Sequence, residues 1–206
     1  LIPAWGAALH CDGSGRMKLS EFISQPPAGT APLSATPRLP RIFPSAEAYG
    51  TWIASKAGNR MRKREMKGYS GDAYLGIDSG STTTKIAVTD GEGNLLYHYY
   101  APNGGDPIGT VGKGLERLAA ACAEQGASLG IRGSCSTGYG EDLIRAAYSL
   151  DEGIIETIAH YLAARDIDPQ VSFILDIGGQ DMKAIFVDHG VLSRMEINEA
   201  CSSGCG

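Results

Sequence analysis

Two stretches of the chain, residues 74–85 and 174–183, run from an apolar strand into aspartate, glycine, polar residues and a lysine. An aspartate at a strand end can face a magnesium ion or its bound water. The backbone N–H groups of the glycine turn that follows can form a concave nest for phosphate oxygens. The repeated pattern therefore predicts two turns that bind phosphate groups and a metal ion.

The first turn offers a donor set for one end of such a ligand. Asp78 would face metal-bound water, Gly80 would allow the ligand to approach the backbone, and Lys85 would supply a positive charge. Hydroxyl and amide donors would come from the residues between them, which are Ser81, Thr82 and Thr83.

The second turn offers a similar set with catalytic potential. Asp176 would face a magnesium ion through a bound water, and Gly178 and Gly179 would form the phosphate nest. Gln180 or Asp181 would position an attacking water. Neither turn has the spacing of a Walker loop or a Rossmann fingerprint. A single Asp-Gly turn is often purely conformational, but two such turns in one chain favour the functional interpretation.

Apolar patterns and turn residues predict the elements that hold these turns. Strands are predicted over 74–78, 85–89, 95–100, 129–134, 171–176, 183–187 and 191–197, and helices over 45–67, 109–125, 141–148 and 152–165. The helix over 45–67 would begin at an N-cap serine, and its basic run 60–64 is interpreted as a solvated helix face. Cys122 is predicted to lie in the core. The strand and helix order then begins to repeat, which is typical of a duplicated mixed-sheet unit.

Composition narrows the function classes. The 206 residues are 43% hydrophobic and 20% charged, which suffices for one large or two small domains. The formal net charge of -5 argues against a nucleic-acid partner. No apolar run reaches the length of a membrane span and no signal peptide is recognisable, so we expect no membrane contact and a cytoplasmic protein. The five cysteines are too few for a disulfide scaffold, so most are expected to be reduced.

Four motifs in this order resemble the ATPase activators (activases) of 2-hydroxyacyl-CoA dehydratases. That family is grouped with the benzoyl-CoA reductase ATPase subunits, within the superfamily of sugar kinases, actin and heat-shock chaperones. The motifs read Gly76-Ile-Asp-Ser-Gly-Ser-Thr-Thr-Thr-Lys85, Thr137-Gly-Tyr-Gly140, Asp176-Ile-Gly-Gly-Gln-Asp-Met-Lys183 and Asn198-Glu-Ala-Cys-Ser-Ser-Gly-Cys-Gly206. The resemblance implies an α/β ribonuclease-H-like mixed sheet with flanking helices, the actin-like ATPase fold. ATP or ADP with magnesium would lie between two lobes, of which the second is incomplete here.

The resemblance also implies an iron-sulfur cofactor. Members of the family share one 4Fe-4S cluster across a homodimer or paired-repeat interface, and each copy contributes two cysteine thiolates. Cys201 matches the first of these cysteines, and Cys205, where the family more often has threonine, is a further candidate ligand. The family's second cysteine and its adenine-binding motif have no match in this sequence. Hydrolysis of ATP would drive a low-potential electron from a donor such as ferredoxin or flavodoxin into the dehydratase partner.

The resemblance and the composition suggest three segments. Residues 1–24 would be the C-terminal end of a preceding activase-like repeat, because 1–9 resemble the C-terminal helix of the same fold. Residues 25–72 would be a linker, rich in proline, alanine, serine and threonine, that carries the basic helix. Residues 73–206 would be the N-terminal part of an activase-type ATPase domain. Since the sequence starts at Leu1 without a methionine, we expect a segment of a longer protein.

Two other functions remain open. The chain could belong to a small-molecule, sugar-type kinase of the same superfamily, with Asp181 or another carboxylate as the base toward a hydroxyl group. It could also be a non-catalytic nucleotide-binding or assembly module. Phosphoryl transfer to a sugar without a cluster would favour the first, and ATP binding without hydrolysis the second.

Overall fold

The computed structural model describes residues 2–11, 17–25, 40–178 and 181–198. The chain divides into two compact units, residues 1–51 and 52–206. The first unit contains helices α1 (Ile2–His10) and α2 (Leu19–Ser24), and α3 (Ala46–Ser55) begins in it. Among the helices of the described part, none is both long enough and apolar enough to pass through a bilayer.

Helix α3 is shorter than the helix predicted over 45–67. Its start follows the prediction, because the Ser45 Oγ accepts a hydrogen bond from the Ala48 N–H at 3.1 Å. It ends at Ser55, and the residues that follow form turns. The basic run that was assigned to this helix therefore lies outside it, and that part of the prediction is wrong.

The basic segment (residues 60–64) instead lies along the edge of a sheet. Its backbone is hydrogen-bonded to Leu95, which donates to the Arg62 carbonyl at 2.9 Å and accepts from the Arg64 N–H at 3.0 Å. Arg64 forms an ion pair of 3.2 Å with Asp90. The pKa of Asp90 falls to about 2, mainly because the Asn94 side chain donates hydrogen bonds to it. Tertiary pairing with a distant strand thus outweighs the local helical pattern.

A five-stranded mixed sheet forms the centre of the second unit. Its strands are β1 (Ser70–Ser79), β2 (Thr83–Asp90), β3 (Leu95–Pro102), β4 (Ser128–Thr137) and β5 (Glu152–Gly153), in the order β3-β2-β1-β4-β5. The central strand β1 is antiparallel to β2 and parallel to β4. Alternate residues of β1, namely Ala73, Leu75 and Ile77, are buried, as expected for a strand with one face on the core.

Helix α4 (Pro107–Gln125) covers this core. It begins after Asp106, whose Oδ1 accepts the Gly109 N–H at 2.8 Å, and it ends at Gly126 in the left-handed conformation. Leu118 is buried on its inner face, and Cys122 packs partly buried against the same cluster. Burial raises the pKa of the Cys122 thiol, which suits a core cysteine.

The second sheet repeats the antiparallel opening of the first. Helices α5 (Glu141–Tyr148) and α6 (Glu156–Ile167) precede strands β6 (Phe173–Ile177), β7 (Met182–Asp188) and β8 (Val191–Asn198), in the order β6-β7-β8. The helix predicted over 152–165 begins later, because Glu152 and Gly153 pair with β4 as the short strand β5. The Tyr161 hydroxyl of α6 donates to the Gly190 carbonyl beside this sheet. The predicted mixed-sheet α/β class is confirmed.

Candidate functional site

The turn between β1 and β2 carries the first predicted set of binding residues. Asp78 lies directly opposite Lys85 in the antiparallel register, and the Lys85 Nζ is 2.9 Å from the Asp78 Oδ2. The Gly80 N–H donates to the Thr83 carbonyl at 2.9 Å and closes the turn. The turn exposes Ser81 and Thr82. Lys85, which the sequence suggested as a cation for phosphate, is therefore an ion-pair partner of Asp78.

A buried asparagine that sequence reasoning missed holds this turn in place. The Asn103 Nδ2 donates to the Gly80 carbonyl at 2.8 Å, and its backbone N–H donates to the Thr82 carbonyl at 2.8 Å. Its Oδ1 accepts the Thr84 hydroxyl at 2.6 Å. Asn103 follows β3, so only the pairing of β3 with β2 brings it to the turn.

The loop after β4 packs against the end of β1. Gly138 has a φ of 88°, and a Cβ at this position would lie 2.7 Å from both the Asp78 Oδ1 and the Ser79 carbonyl oxygen. The Gly140 N–H donates to the same Ser79 carbonyl at 2.8 Å. The motif at 137–140 therefore needs its first glycine for both backbone conformation and close approach.

Three buried side-chain oxygens lie near the ends of β1 and β4. Within the described residues, Asp78 Oδ1, Ser79 Oγ and Thr137 Oγ1 have no hydrogen-bond partner. Most buried polar atoms in folded proteins are hydrogen-bonded, so such a group indicates a water or ligand contact. The Asp78 Oδ1 is therefore a candidate for contact with a metal-bound water, as the sequence predicted.

The turn between β6 and β7 has the same construction. Asp176 lies opposite Lys183 in the antiparallel register, as Asp78 lies opposite Lys85. The Gly178 N–H donates to the Asp181 carbonyl at 3.0 Å, in the position of the Gly80 bond in the first turn. The predicted site residues Gly179 and Gln180 lie outside the described residues.

Lys183 lies among three carboxylates at this second turn. Its Nζ is 2.9 Å from Glu156 Oε2, 3.3 Å from Asp181 Oδ1 and 3.7 Å from Asp176 Oδ2. Burial acts to lower the pKa of Lys183, but hydrogen bonds and charge interactions with Glu156 and Asp181 outweigh it, and the pKa is raised. The lysine is therefore held as a cation in a nearly covered position.

Helix α6 adds two side chains that the sequence did not single out. The His160 Nδ1 is 3.6 Å from the Asp176 Oδ2, and its Nε2 is 4.0 Å from the Glu156 Oε1. Glu156, His160 and Asp176 place ligand atoms within 4.8 Å of one another, a group that could hold a metal ion. The only sequence signal was the spacing of four between Glu156 and His160, which is common on helix surfaces.

Two cavities border these turns. One, of about 600 Å³, is lined by residues that include Gly138, Tyr139, Glu156, Asp181 and Lys183. Another, of about 470 Å³, is lined by residues that include Asp78, Lys85, Thr137, Glu156 and His160. Glu156 lines both, so the two turns border neighbouring spaces of the size usual for small-molecule sites.

The predicted cluster ligands Cys201 and Cys205 lie outside the described residues. Of the cysteines in the described part, Cys135 lies at the end of β4 and is partly buried. Burial, followed by the charges of Glu152 and Glu141, raises the pKa of its thiol. A raised pKa disfavours the thiolate, the form that binds metal.

Comparison with known proteins identifies the fold family. The model of the BadF/BadG/BcrA/BcrD ATPase family matches residues 75–206. The chain belongs to this family. The match begins within β1 and includes both turns and the cysteine-containing end of the sequence, and it confirms the family resemblance predicted from the motifs.

Individual relatives agree with this assignment. The chain is 31% identical over 135 residues to the (R)-2-hydroxyglutaryl-CoA dehydratase activating ATPase of Acidaminococcus fermentans, which is 64% of this chain and 49% of that protein. The solved component A of this dehydratase from A. fermentans is 26% identical with a TM-score of 0.53, and the match covers 66% of this chain and 50% of that one. The chain spans about half the length of the curated relatives it matches.

A second solved structure is similar to the same extent. It is the activator of the 2-hydroxyisocaproyl-CoA dehydratase from Clostridium difficile with bound ADPNP, an ATP analogue. It is 28% identical with a TM-score of 0.53, and the match covers 65% of this chain and 48% of that one. The actin-like ATPase fold of the second unit is thereby confirmed.

Proposed function

We propose that this chain binds and hydrolyses ATP as part of an activator of a 2-hydroxyacyl-CoA dehydratase or a related enzyme with a CoA substrate. One observation carries the proposal. Two hairpins with the same aspartate–lysine register and the same glycine hydrogen bond border neighbouring cavities. Such a pair of turns could hold the two ends of a nucleotide polyphosphate, since glycine lets a ligand approach the backbone of each turn closely.

Magnesium would be held through water by Asp78 and Asp176. The unsatisfied buried oxygens beside Gly138 support this assignment at the first turn. When bound, the ion neutralises charge on the transferred phosphoryl group. Around it, the hydroxyl groups of Ser81, Thr82 and Thr83 and the N–H group of Gly179 would orient the phosphates. Gly80 and Gly178, whose N–H groups close their turns, would let the phosphates approach the backbone. Gln180 or Asp181 would position the attacking water, and exclusion of bulk water would favour that geometry.

The activator role in this proposal is inferred from the names of the relatives. Two of the relatives described above are activators of dehydratases, which supports a dehydratase-type protein as the partner. Cys201, with Cys205 as a further candidate, would bind a 4Fe-4S cluster shared across a homodimer or a paired repeat. An electron from ferredoxin or flavodoxin would then pass to the partner. Residues 73–206 would form the N-terminal part of the ATPase domain, after a linker and the end of an earlier repeat.

Substitution of Asp176 tests the ATPase part of the proposal. Asp176→Asn keeps the size of the side chain but removes the charge on the metal side, so ATP turnover by the full-length protein should fall by about a hundredfold or more. Asp166→Asn on α6 is a matched control, because Asp166 pairs only at the surface with Arg62 at 2.9 Å. A phosphate-release assay that finds normal turnover in Asp176→Asn contradicts the assignment.

Substitution of Cys201 tests the cluster. Anaerobic reconstitution of the full-length protein with iron and sulfide should give the visible absorption of a 4Fe-4S cluster, and Cys201→Ser should abolish it because serine cannot supply a thiolate. Cys122→Ser is the control, because Cys122 packs against the core of the second unit. A normal cluster spectrum in Cys201→Ser would refute the ligand assignment.

A further inference from the structure

Lys183 is held mainly by a residue outside its own hairpin. Its nearest carboxylate is Glu156 at 2.9 Å, at the first position of α6. Two carboxylates of its own hairpin are farther away, Asp181 at 3.3 Å and the cross-strand partner Asp176 at 3.7 Å. Only 10% of the Lys183 side chain is exposed, so solvent does little to weaken these interactions.

The first hairpin has the same register and serves as a comparison for the distance between the lysine and the aspartate. Lys85 lies opposite Asp78 just as Lys183 lies opposite Asp176, and the Lys85 Nζ is 2.9 Å from the Asp78 carboxylate. Its side chain is 44% exposed. A cross-strand lysine in this register can therefore reach a full ion pair with its aspartate. At the second hairpin, the longer distance coincides with the bond to Glu156.

From this contrast we propose that Glu156 is a positioning residue that keeps Lys183 from the close ion pair seen at Asp78 and so leaves the Asp176 carboxylate more available to a divalent cation. The inference rests on the function proposed above, in which Asp176 takes the metal side. It adds a role for Glu156 and Lys183, to which the sequence assigned no chemistry. His160 borders both Asp176 and Glu156 and would remain in place.

The physical basis is competition between two cations for one carboxylate. The affinity of an oxygen site for a divalent cation depends on the number of negative charges it can offer. An ammonium group in direct contact with Asp176 would offset one of these charges. Without Glu156, Lys183 would be shared between Asp181 and Asp176 only, and a closer pair with Asp176 would weaken cation binding.

A double-mutant cycle measures whether Glu156 acts through Lys183. The full-length protein is saturated with ADPNP and titrated with Mg²⁺ in a calorimeter, as wild type, Glu156→Gln, Lys183→Met and the double variant. We expect Glu156→Gln to raise the half-saturating Mg²⁺ concentration by about tenfold when Lys183 is present, because coupling within one ion-pair network reaches this size. In the Lys183→Met background the same substitution should change it by less than about twofold.

Equal effects of Glu156→Gln in both backgrounds overturn the proposal, since Glu156 would then act only through its own charge. Glu156→Asp gives a second test that needs no change at Lys183. The aspartate keeps the charge but has a shorter reach toward Lys183, so the variant should also bind Mg²⁺ less tightly. An Mg²⁺ affinity equal to that of the wild type overturns the proposal. Asp166→Asn should leave the titration unchanged.

The same titration separates this proposal from the broader one. Failure of the wild-type protein to bind ADPNP in a Mg²⁺-dependent manner refutes the proposed function and with it the role of Glu156. Normal binding by the wild type with no coupling between Glu156 and Lys183 refutes only the role of Glu156. Thermal unfolding of each variant identifies any loss of affinity that comes from loss of the fold.

Discussion

The two hairpins β1–β2 and β6–β7 begin from nearly the same local chemistry and reach different electrostatic states. Each places an aspartate opposite a lysine and closes its turn with a glycine N–H bond. In the first, Lys85 pairs with one carboxylate and stays half-exposed. In the second, Lys183 is nearly covered and contacts three carboxylates.

The difference comes from the neighbours that pack on each hairpin. The loop at 137–140 lies against the first, where three buried oxygens find no hydrogen-bond partner in the part of the chain that the structure describes. Helix α6 lies against the second and brings Glu156 and His160 to its aspartate. A duplicated turn can therefore serve two tasks. In the proposed function, the first would form a cradle for a ligand, and the second a cluster of charges around a cation and a water.

The substitution with the largest expected effect disturbs the first hairpin and does not touch the second. Gly138→Ala places a Cβ against the Asp78 carboxylate and the Ser79 carbonyl in a left-handed backbone conformation. We expect the free energy of unfolding to fall by about 3 kcal/mol, because strain at positive φ and a steric clash add together. Urea unfolding would measure the change, and ADPNP binding should be lost at the same time.

Gly126 provides the matched control for this substitution. It has a similar φ of 64°, but a Cβ there would meet nothing within 4 Å. Gly126→Ala should therefore cost about 1 kcal/mol, from the backbone conformation alone. Equal losses in the two variants would show that close approach to Asp78 and Ser79 plays no part.

Smaller losses of unfolding free energy are expected when each of the two lysines is replaced, and they compare the hairpins directly. Lys183→Met leaves three carboxylates close together in a nearly covered site, so unfolding should become easier by about 2 kcal/mol. Lys85→Met removes an ion pair whose lysine is 44% exposed, and solvent screening should limit its cost to less than about 1 kcal/mol. Urea unfolding at neutral pH measures both.

The order of these two losses decides whether the hairpins differ energetically. A loss in Lys85→Met as large as that in Lys183→Met would contradict the distinction between a cradle and a charge cluster. Raising the ionic strength sharpens the test, because salt should reduce the effect of the exposed pair more than that of the covered one.

Strand positions and the family could be predicted from the sequence with good agreement. Apolar alternation identified β1, β2 and β3, and the prediction of 141–148 as a helix matches α5 in its bounds. The extended helix over 45–67 was wrong, because the basic segment pairs its backbone with Leu95. A local pattern carries no information about a strand partner that lies so far along the chain.

The arrangement of the candidate site could be predicted only in part. Local order placed Asp78, Gly80, Asp176 and Gly178 at the two turns, since a turn and its flanking residues are adjacent in sequence, and their binding roles stay predictions. Asn103 and Glu156 were missed, because each reaches the site from another element. The assignments of Gly179, Gln180, Cys201 and Cys205 stay predictions.

The sequence by itself determined the family and the order of aspartate, glycine and lysine along each hairpin. In a hairpin, turn length sets the register, and the register sets which side chains face each other across two strands. Only the tertiary structure decided what surrounds each pair. The contact of Lys183 with Glu156, and of Gly138 with Asp78, depends on how a helix and a loop pack against the sheets. Those contacts join residues far apart in the chain, and their energies depend on burial, which local order does not specify.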